Sequence, residues 1–315
     1  MTSSAGSRHL VDPELLPLLD AFPTVTFTSE NLSELRARDL PFPPVGDCGV
    51  ELQERMISGP DGSLDIPVRI YRPRDSAGPL GCIYHIHGGG FVGGSTREVE
   101  FLHRPLAAEL SCVIVTVDYR LAPETAFPWN LEDCYAGLAW TFANATELGI
   151  DTARIGVMGE SAGGGLAAAL ALLARDRREY RLAFQHLIYP MLDDRTCIAE
   201  RNRHAGEFIW TRHNNRFGWT ALLGHEPGSE GVSPYAAPAR AQHLEDLPPT
   251  FISTGQLDLF VDEDIDYAHR LICAGVPTEL HVWPGAFHGF DLAPGTAASD
   301  AAQQASRAAL ARFLK

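Results

Sequence analysis

The sequence predicts an α/β protein built on a mainly parallel, doubly wound sheet, and three observations carry that expectation. Short, continuously apolar runs recur along the chain: LGCIYHI (80–86), CVIVTVDY (112–119), RIGVMG (154–159), LAFQHLIYP (182–190), TFIST (250–254) and TELHVW (278–283). Such runs suit strands covered on both faces, as in parallel sheets. Helical stretches lie between them at 130–147, 161–176, 262–274 and 299–314, and alternation of this kind winds right-handed crossovers over a sheet. The third observation is VMGESAGGGLAAALALLA (157–174), where a strand passes through a glycine-flanked serine directly into a helix.

The remaining elements follow in chain order. Residues 1–45 read as short helices broken by proline: PELLPLLDAF (13–22), SENLSELRARDL (29–40), then PFPPVGD (41–47). Leu15, Leu16, Leu18, Leu19, Leu32 and Leu35 give these an apolar face. VELQERMISGPDGSLDIPVRIYRP (50–73) reads as a hairpin turning at Pro60-Asp61-Gly62. The segment 194–246 is uneven in composition and interrupts the alternation, with GEFIWTRHNNRFGWTALLG (206–224) and then SPYAAPARAQHLEDLPP (233–249).

Composition narrows the function classes. The 315 residues are 45% hydrophobic and 21% charged, which fits a globular protein with a substantial core. A formal net charge of -15 repels phosphate backbones and anionic surfaces, so nucleic acid is not an expected partner. The six cysteines are scattered, with Cys82 and Cys112 inside apolar runs, and no metal-ligand spacing appears; reduced thiols and no metal are expected. Asp12, Pro13 and Glu14 interrupt the N-terminal apolar stretch, and no run approaches the roughly 18 residues of a membrane span. A cytoplasmic protein without a membrane span is the expectation.

Glycine costs roughly 1 kcal/mol relative to alanine inside a helix, so the glycines around Ser161 need a reason. Gly159-Glu160-Ser161-Ala162-Gly163 is a G-x-S-x-G turn, in which the serine takes a strained backbone and its hydroxyl is pushed above the sheet. The Ala162 amide at the helix start then points at any oxyanion formed there. A serine nucleophile needs a base and the base an orienter. In this topology they follow the serine as acid and then histidine, in loops at the carboxyl edge of the sheet. TFIST leads into GQLDLFVDEDID and TELHVW into PGAFHGF, which nominates Asp258 and His288. Asp262 is a rival for the acid, although it and Glu263 stand where a helix begins and are explained by helix-dipole complementarity. His281 falls within a strand, where a packed histidine is the ordinary reading. His87-Gly88-Gly89-Gly90 follows directly on the strand CIYHI, and its bare amides supply the second half of an oxyanion hole.

Five motifs in order, HGGGF (87–91), DYRLAPE (118–124), GESAGG (159–164), LDLFVDE (257–263) and FHGF (287–290), resemble the hormone-sensitive-lipase family of α/β-hydrolases, chiefly its bacterial carboxylesterases. The resemblance implies an α/β-hydrolase fold with a helical cap, the cap coming from 1–45 and an insertion at 194–246, and the catalytic domain from 46–193 and 247–315. It implies Ser161 as nucleophile, His288 as general base and acid, and Asp258 as its orienter. It implies that the amides of Gly89, Gly90 and Ala162 form the oxyanion hole, braced by His87 and Gly88. Arg120 and Glu124 are expected to pair and shape the DYRLAPE loop around Pro123. Glu160 departs from the Asp or Thr common before the serine. Phe91, Phe208, Ile209, Trp210 and Trp219 are candidate walls for the substrate, although such aromatics also simply hold a small cap together.

The implied activity is hydrolysis of short- to medium-chain acyl esters through an acyl-enzyme, with a small ester as partner and no cofactor. An amidase, formamidase or lactonase would use the same triad. A non-catalytic ligand-binding relative, of the kind seen in plant hormone receptors that lack the histidine, is disfavoured because His288 is present. A homodimer is the assembly the resemblance raises.

Overall fold

The computed structural model describes residues 6–22, 24–38, 44–60, 62, 64–199 and 202–315. Its centre is one eight-stranded sheet. In chain order the strands are β1 (Val50–Ser58), β2 (Asp65–Pro73), β3 (Leu80–Ile86), β4 (Val113–Val117), β5 (Ile150–Glu160), β6 (Gln185–Ile188), β7 (Thr250–Gly255) and β8 (Thr278–Trp283). They lie in the order β1-β2-β4-β3-β5-β6-β7-β8. The β1–β2 hairpin is antiparallel and so is β2 on β4; every other pairing is parallel. The hairpin turn falls partly on Asp61 and Ser63, which lie outside the described residues.

The apolar runs at 112–119 and 182–190 are longer than the strands they form. Their last residues leave the ladder at the carboxyl rim: Asp118 and Tyr119 beyond β4, Tyr189 and Pro190 beyond β6. Cys82 and Cys112 are fully buried, and burial pushes both thiols up, as expected of cysteines acting as small apolar groups.

The helices are α1 (Leu16–Ala21), α2 (Leu32–Arg36), α3 (Glu100–Leu110), α4 (Trp129–Ala143), α5 (Ala145–Leu148), α6 (Ala162–Arg177), α7 (Arg212–Leu223), α8 (Val261–Cys273) and α9 (Ala297–Phe313). α3 and α9 cover one face of the sheet, where Ile83, Ile114, Met158, Phe184 and Leu310 form a core. α4, α6 and α8 cover the other, with Tyr84, Val115, Val157, Leu166, Leu170 and Tyr267 among its packed residues. Sequence pattern alone did not disclose α3, because Pro105 sits inside it, and proline removes a backbone donor from a helix interior. α7 lies in the uneven segment and begins at Thr211, whose side chain accepts from the Asn214 amide. α6 is apolar all round, and its residues Ala162 to Ala174 are all buried.

The N-terminal stretches form single turns before α1, then α1 and α2, shorter than the 13–22 and 29–40 expected; residues 39–43 of the proline-rich piece lie outside the described residues. Leu15, Leu19 and Leu32 are buried. This segment is tied to the 202–223 stretch: Asn214 accepts from the Phe27 amide at 3.0 Å and donates to the Val25 carbonyl at 2.7 Å. The Ile209 amide donates to Thr24 Oγ1 at 3.1 Å.

The expected Arg120–Glu124 pair does not form. Arg120 instead grips the fully buried Asp133 of α4, with Nε 2.8 Å from Oδ2 and Nη2 2.7 Å from Oδ1. Glu124 turns outward to Arg36 of α2, at 2.8 and 2.9 Å. The physical reason is burial: a carboxylate inside the protein requires a cation far more than one at the surface does. Arg120→Met leaves the Asp133 charge uncompensated and is expected to cost about 3–5 kcal/mol in chemical denaturation. Glu124→Gln should cost little; equal losses would restore the Arg120–Glu124 pairing.

Candidate active site

The carboxyl ends of β3, β5, β7 and β8 bring the site together. At the end of β5 the chain turns into α6 through Ser161, whose backbone lies at φ +56 and ψ -121. A non-glycine residue there stores of order 1–3 kcal/mol of strain and persists only where neighbours over-determine it. The Ser161 amide donates to the Ile188 carbonyl at 2.9 Å, and its own carbonyl accepts from Met191 at 2.9 Å and Gly165 at 3.0 Å. Helix α6 also passes very close to β3: a Cβ on Gly163 would lie 2.1 Å from the Ile86 carbonyl oxygen, so only glycine fits.

His288 comes from the loop after β8. Its Nε2 is 3.0 Å from Ser161 Oγ and its Nδ1 is 2.8 Å from Asp258 Oδ2. Asp258 is fully buried after β7, and its Oδ1 accepts from the Phe260 amide at 3.0 Å. The His288 ring is enclosed by Tyr189 at 4.5 Å, Phe260 at 5.4 Å and Trp210 at 6.4 Å. Asp262 stands in the first turn of α8 and takes no part in this chain of contacts. Glu263, read from the sequence as a helix-start charge, is buried instead. It accepts from the Leu192 and Asp193 amides at 2.7 and 3.2 Å and so fixes the segment leaving β6.

The glycine loop follows β3. His87 Nδ1 donates to the Gly88 carbonyl at 2.8 Å, its ring stacks on Tyr119 at 4.4 Å, and Tyr119 Oη donates to the His87 carbonyl at 3.1 Å. Gly89 and Gly90 have φ of +111 and +63, and among the described residues their amides donate no hydrogen bond. The Ala162 amide, first in α6, has no intrahelical acceptor either. Among the described residues these three donors are unengaged, and the loop that carries two of them starts at Gly88, where an added Cβ would lie 3.5 Å from Ser161 Cβ.

Phe91, Ser161, Tyr189 and Ile209 are four of the seven described non-glycine residues with positive φ, and all stand beside this site or on the segment packed over it. A cavity of about 610 Å³ opens from the glycine loop at Gly88 and Gly89 and runs between α3 and α9. None of the aromatics expected as walls lines it. Phe91 and Trp219 are fully buried and pack edge-on at 5.3 Å, and Phe208 packs on Phe287 at 6.1 Å, so their area goes into holding the upper segments together. Trp210 reaches closer, its ring over Gly90 and Ile209 beside it in the chain, but it too lies outside the cavity wall.

Sequence reasoning missed the polar floor of this cavity. Glu160 Oε2 accepts from His85 Nε2 at 2.7 Å, and His85 Nδ1 is 2.9 Å from Thr116 Oγ1. Tyr189 Oη donates to Asp291 Oδ1 at 2.8 Å. Burial pushes Glu160 up to about 7 and Asp291 up to about 6, while it holds His85 and His103 well below the usual histidine value. The signal present in the sequence was the departure at Glu160 itself.

A serine at a strand-to-helix turn, with acid and histidine arriving from later strands of a doubly wound sheet, defines the class of α/β-hydrolases. A family model described as "alpha/beta hydrolase fold" matches residues 83–292, and the chain belongs to that family, in its hormone-sensitive-lipase-like branch. Carboxylesterase NlhH of Mycobacterium tuberculosis (strain ATCC 25618 / H37Rv) is 37% identical over 296 residues, covering 92% of each chain. Among solved structures, a bacterial heroin esterase is 41% identical with a TM-score of 0.90, covering 98% of this chain and 99% of that one. Esterase LipW from Mycobacterium marinum is 34% identical with a TM-score of 0.81, covering 97% and 96%. The protein is a carboxylic ester hydrolase. No described helix is long and apolar enough to cross a membrane.

A Cβ on Gly89 would lie 2.2 Å from the Gly93 carbonyl oxygen. Gly89→Ala must therefore shift the loop and displace two amides from Ser161, and a loss of about 10²-fold or more in kcat on p-nitrophenyl acetate is expected, with circular dichroism unchanged.

Proposed function

We propose that the enzyme hydrolyses short- to medium-chain acyl esters through a Ser161–His288–Asp258 triad and an acyl-enzyme. The observation that carries the proposal is the unbroken line of contacts from Asp258 Oδ2 through His288 to Ser161 Oγ, 2.8 Å and then 3.0 Å. Ser161 Oγ attacks the acyl carbonyl carbon while His288 Nε2 takes the hydroxyl proton. Asp258 holds Nδ1–H and stabilises the imidazolium that forms. The amides of Gly89, Gly90 and Ala162 bind the oxygen that gains negative charge. The bond to the alcohol breaks, His288 hands its proton to the leaving oxygen, and the acyl group stays on Ser161. Water, deprotonated by His288, then attacks the same carbonyl, and the acid departs as Ser161 regains its proton.

Residues 1–45 and 194–246 act together as a cap, a division supported by the hydrogen bonds joining Val25 and Phe27 to Asn214. A cavity of about 610 Å³ falls in the range of small-molecule sites and supports substrates of modest chain length.

Ser161→Ala should lower kcat on an activated ester by roughly 10⁴ or more, and retained activity would require another nucleophile. Asp258→Asn should approach the same loss, about 10⁴, with Asp262→Asn near wild type. The reverse order would move the acid to α8. Running p-nitrophenyl esters of rising acyl length beside matched anilides separates ester from amide hydrolysis.

A further inference from the structure

The cavity between α3 and α9 has a floor with an unusual charge. Glu160 and Asp291 both line it, and among the described residues only one oxygen of each carboxyl is hydrogen-bonded by another side chain, Glu160 by His85 and Asp291 by Tyr189. Independently of these carboxyls, His103 lines the same wall. It is 2% exposed, and among the described residues its Nδ1 has no partner. The arginines at the rim are already paired: Arg36 to Glu124 at 2.8 Å, Arg38 to Glu34 at 3.0 Å and Arg307 to Glu109 at 3.5 Å.

Among the described residues, the groups acting most strongly on the two carboxyls include histidines but no lysine or arginine. Facing Glu160 are His85 from β3, His87 at its end and His103 from α3, and burial disfavours the charged form of each. Asp118 beyond β4 stands 3.7 Å from His87 and adds negative charge. Facing Asp291 are Glu160, which pushes it up further, Tyr189, whose own phenol is pushed up by burial, and His288. An apolar substrate would leave these acids unsolvated in a partly closed space, whereas a cation would be attracted to them.

We propose that this cavity is the subsite for a positively charged, alkylammonium-bearing half of the ester, with Glu160 and Asp291 as the specificity-determining groups. The proposal rests on Ser161 as the nucleophile beside the glycine loop, since the cavity opens from Gly88 and Gly89. Its pH sense follows from the raised carboxyls. Selection for a cation grows as the pH rises through about 6 for Asp291 and about 7 for Glu160, and fades as both become protonated on the acid side of that range.

The test compares each cationic ester with its uncharged isostere, so that any general loss of activity cancels in the ratio of kcat/KM. One pair carries the charge on the alcohol: acetylcholine against 3,3-dimethylbutyl acetate. The other carries it on the acyl group: phenyl 4-(trimethylammonio)butanoate against phenyl 5,5-dimethylhexanoate. At pH 8 the wild type should prefer the cationic member of at least one pair by about tenfold, falling toward unity at pH 5.5. Glu160→Gln and Asp291→Asn, each isosteric, should each reduce that ratio about threefold or more at pH 8. No preference in either pair, or a preference that survives both substitutions, overturns the proposal. Failure of the nucleophile assignment looks different: Ser161→Ala would then hydrolyse both members of a pair.

Discussion

Helix α6 lies so close to the carboxyl ends of β3 and β5 that its first turn touches their backbone, and the rest of the site follows from that approach. Gly163 sits against the Ile86 carbonyl, leaving no space for a side chain. The chain can leave β5 and enter the helix in so short a distance only by taking Ser161 through a left-handed conformation. Three backbone hydrogen bonds, to Ile188, Met191 and Gly165, hold it there. The strain is local, and the buried apolar length of α6, from Ala162 to Ala174, supplies the stability that sustains it.

Once the serine is fixed, the other contributors need only arrive at the same rim. The parallel sheet ensures this, because every strand from β3 to β8 ends at the same edge. Asp258 and His288 leave adjacent strands, β7 and β8, and meet across a 2.8 Å contact. The enclosure of His288 by Tyr189, Phe260 and Trp210 restricts its ring and shields the hydrogen bonds from water, which strengthens them. Glu263 contributes at one remove: by accepting the Leu192 and Asp193 amides it anchors the chain that follows β6, next to the Met191 amide that holds Ser161.

Much of this was legible in the sequence because it rests on local grammar. A β-branched run, a glycine-bounded serine and an alanine-rich helix specify the turn at Ser161 without reference to anything distant. The continuous apolar strands specify a covered parallel sheet for the same reason. What was not legible depended on which distant groups end up buried together. Arg120 has acidic neighbours on both sides in sequence, yet it pairs with the fully buried Asp133 while Glu124 stays 64% exposed. α3 was obscured by Pro105, whose lost backbone bond is offset by packing of His103 and Ala107 against the sheet. The aromatics of the 206–224 stretch carry the composition of a pocket wall, yet edge-on contacts such as Phe91 on Trp219 and Phe208 on Phe287 use them as core.

The same logic explains why the polar floor escaped sequence reasoning and why it matters. Alternation along β5 sends Met158 and Glu160 to the face covered by α3 and α9, opposite to the face on which α6 packs. A residue before Ser161 is therefore carried to the sheet face beside the glycine loop, whatever its type. A short side chain there would leave His85 without an acceptor, whereas glutamate reaches Nε2 at 2.7 Å and brings a second oxygen to the cavity. Burial of a carboxyl at such a position is costly unless something of opposite charge visits it. His85 answers one oxygen with a neutral N–H, and the arginines at the rim are engaged elsewhere. The electrostatic imbalance left at the floor is thus a consequence of strand alternation combined with one longer side chain. It lies in the cavity that begins at Gly88 and Gly89 of the glycine loop.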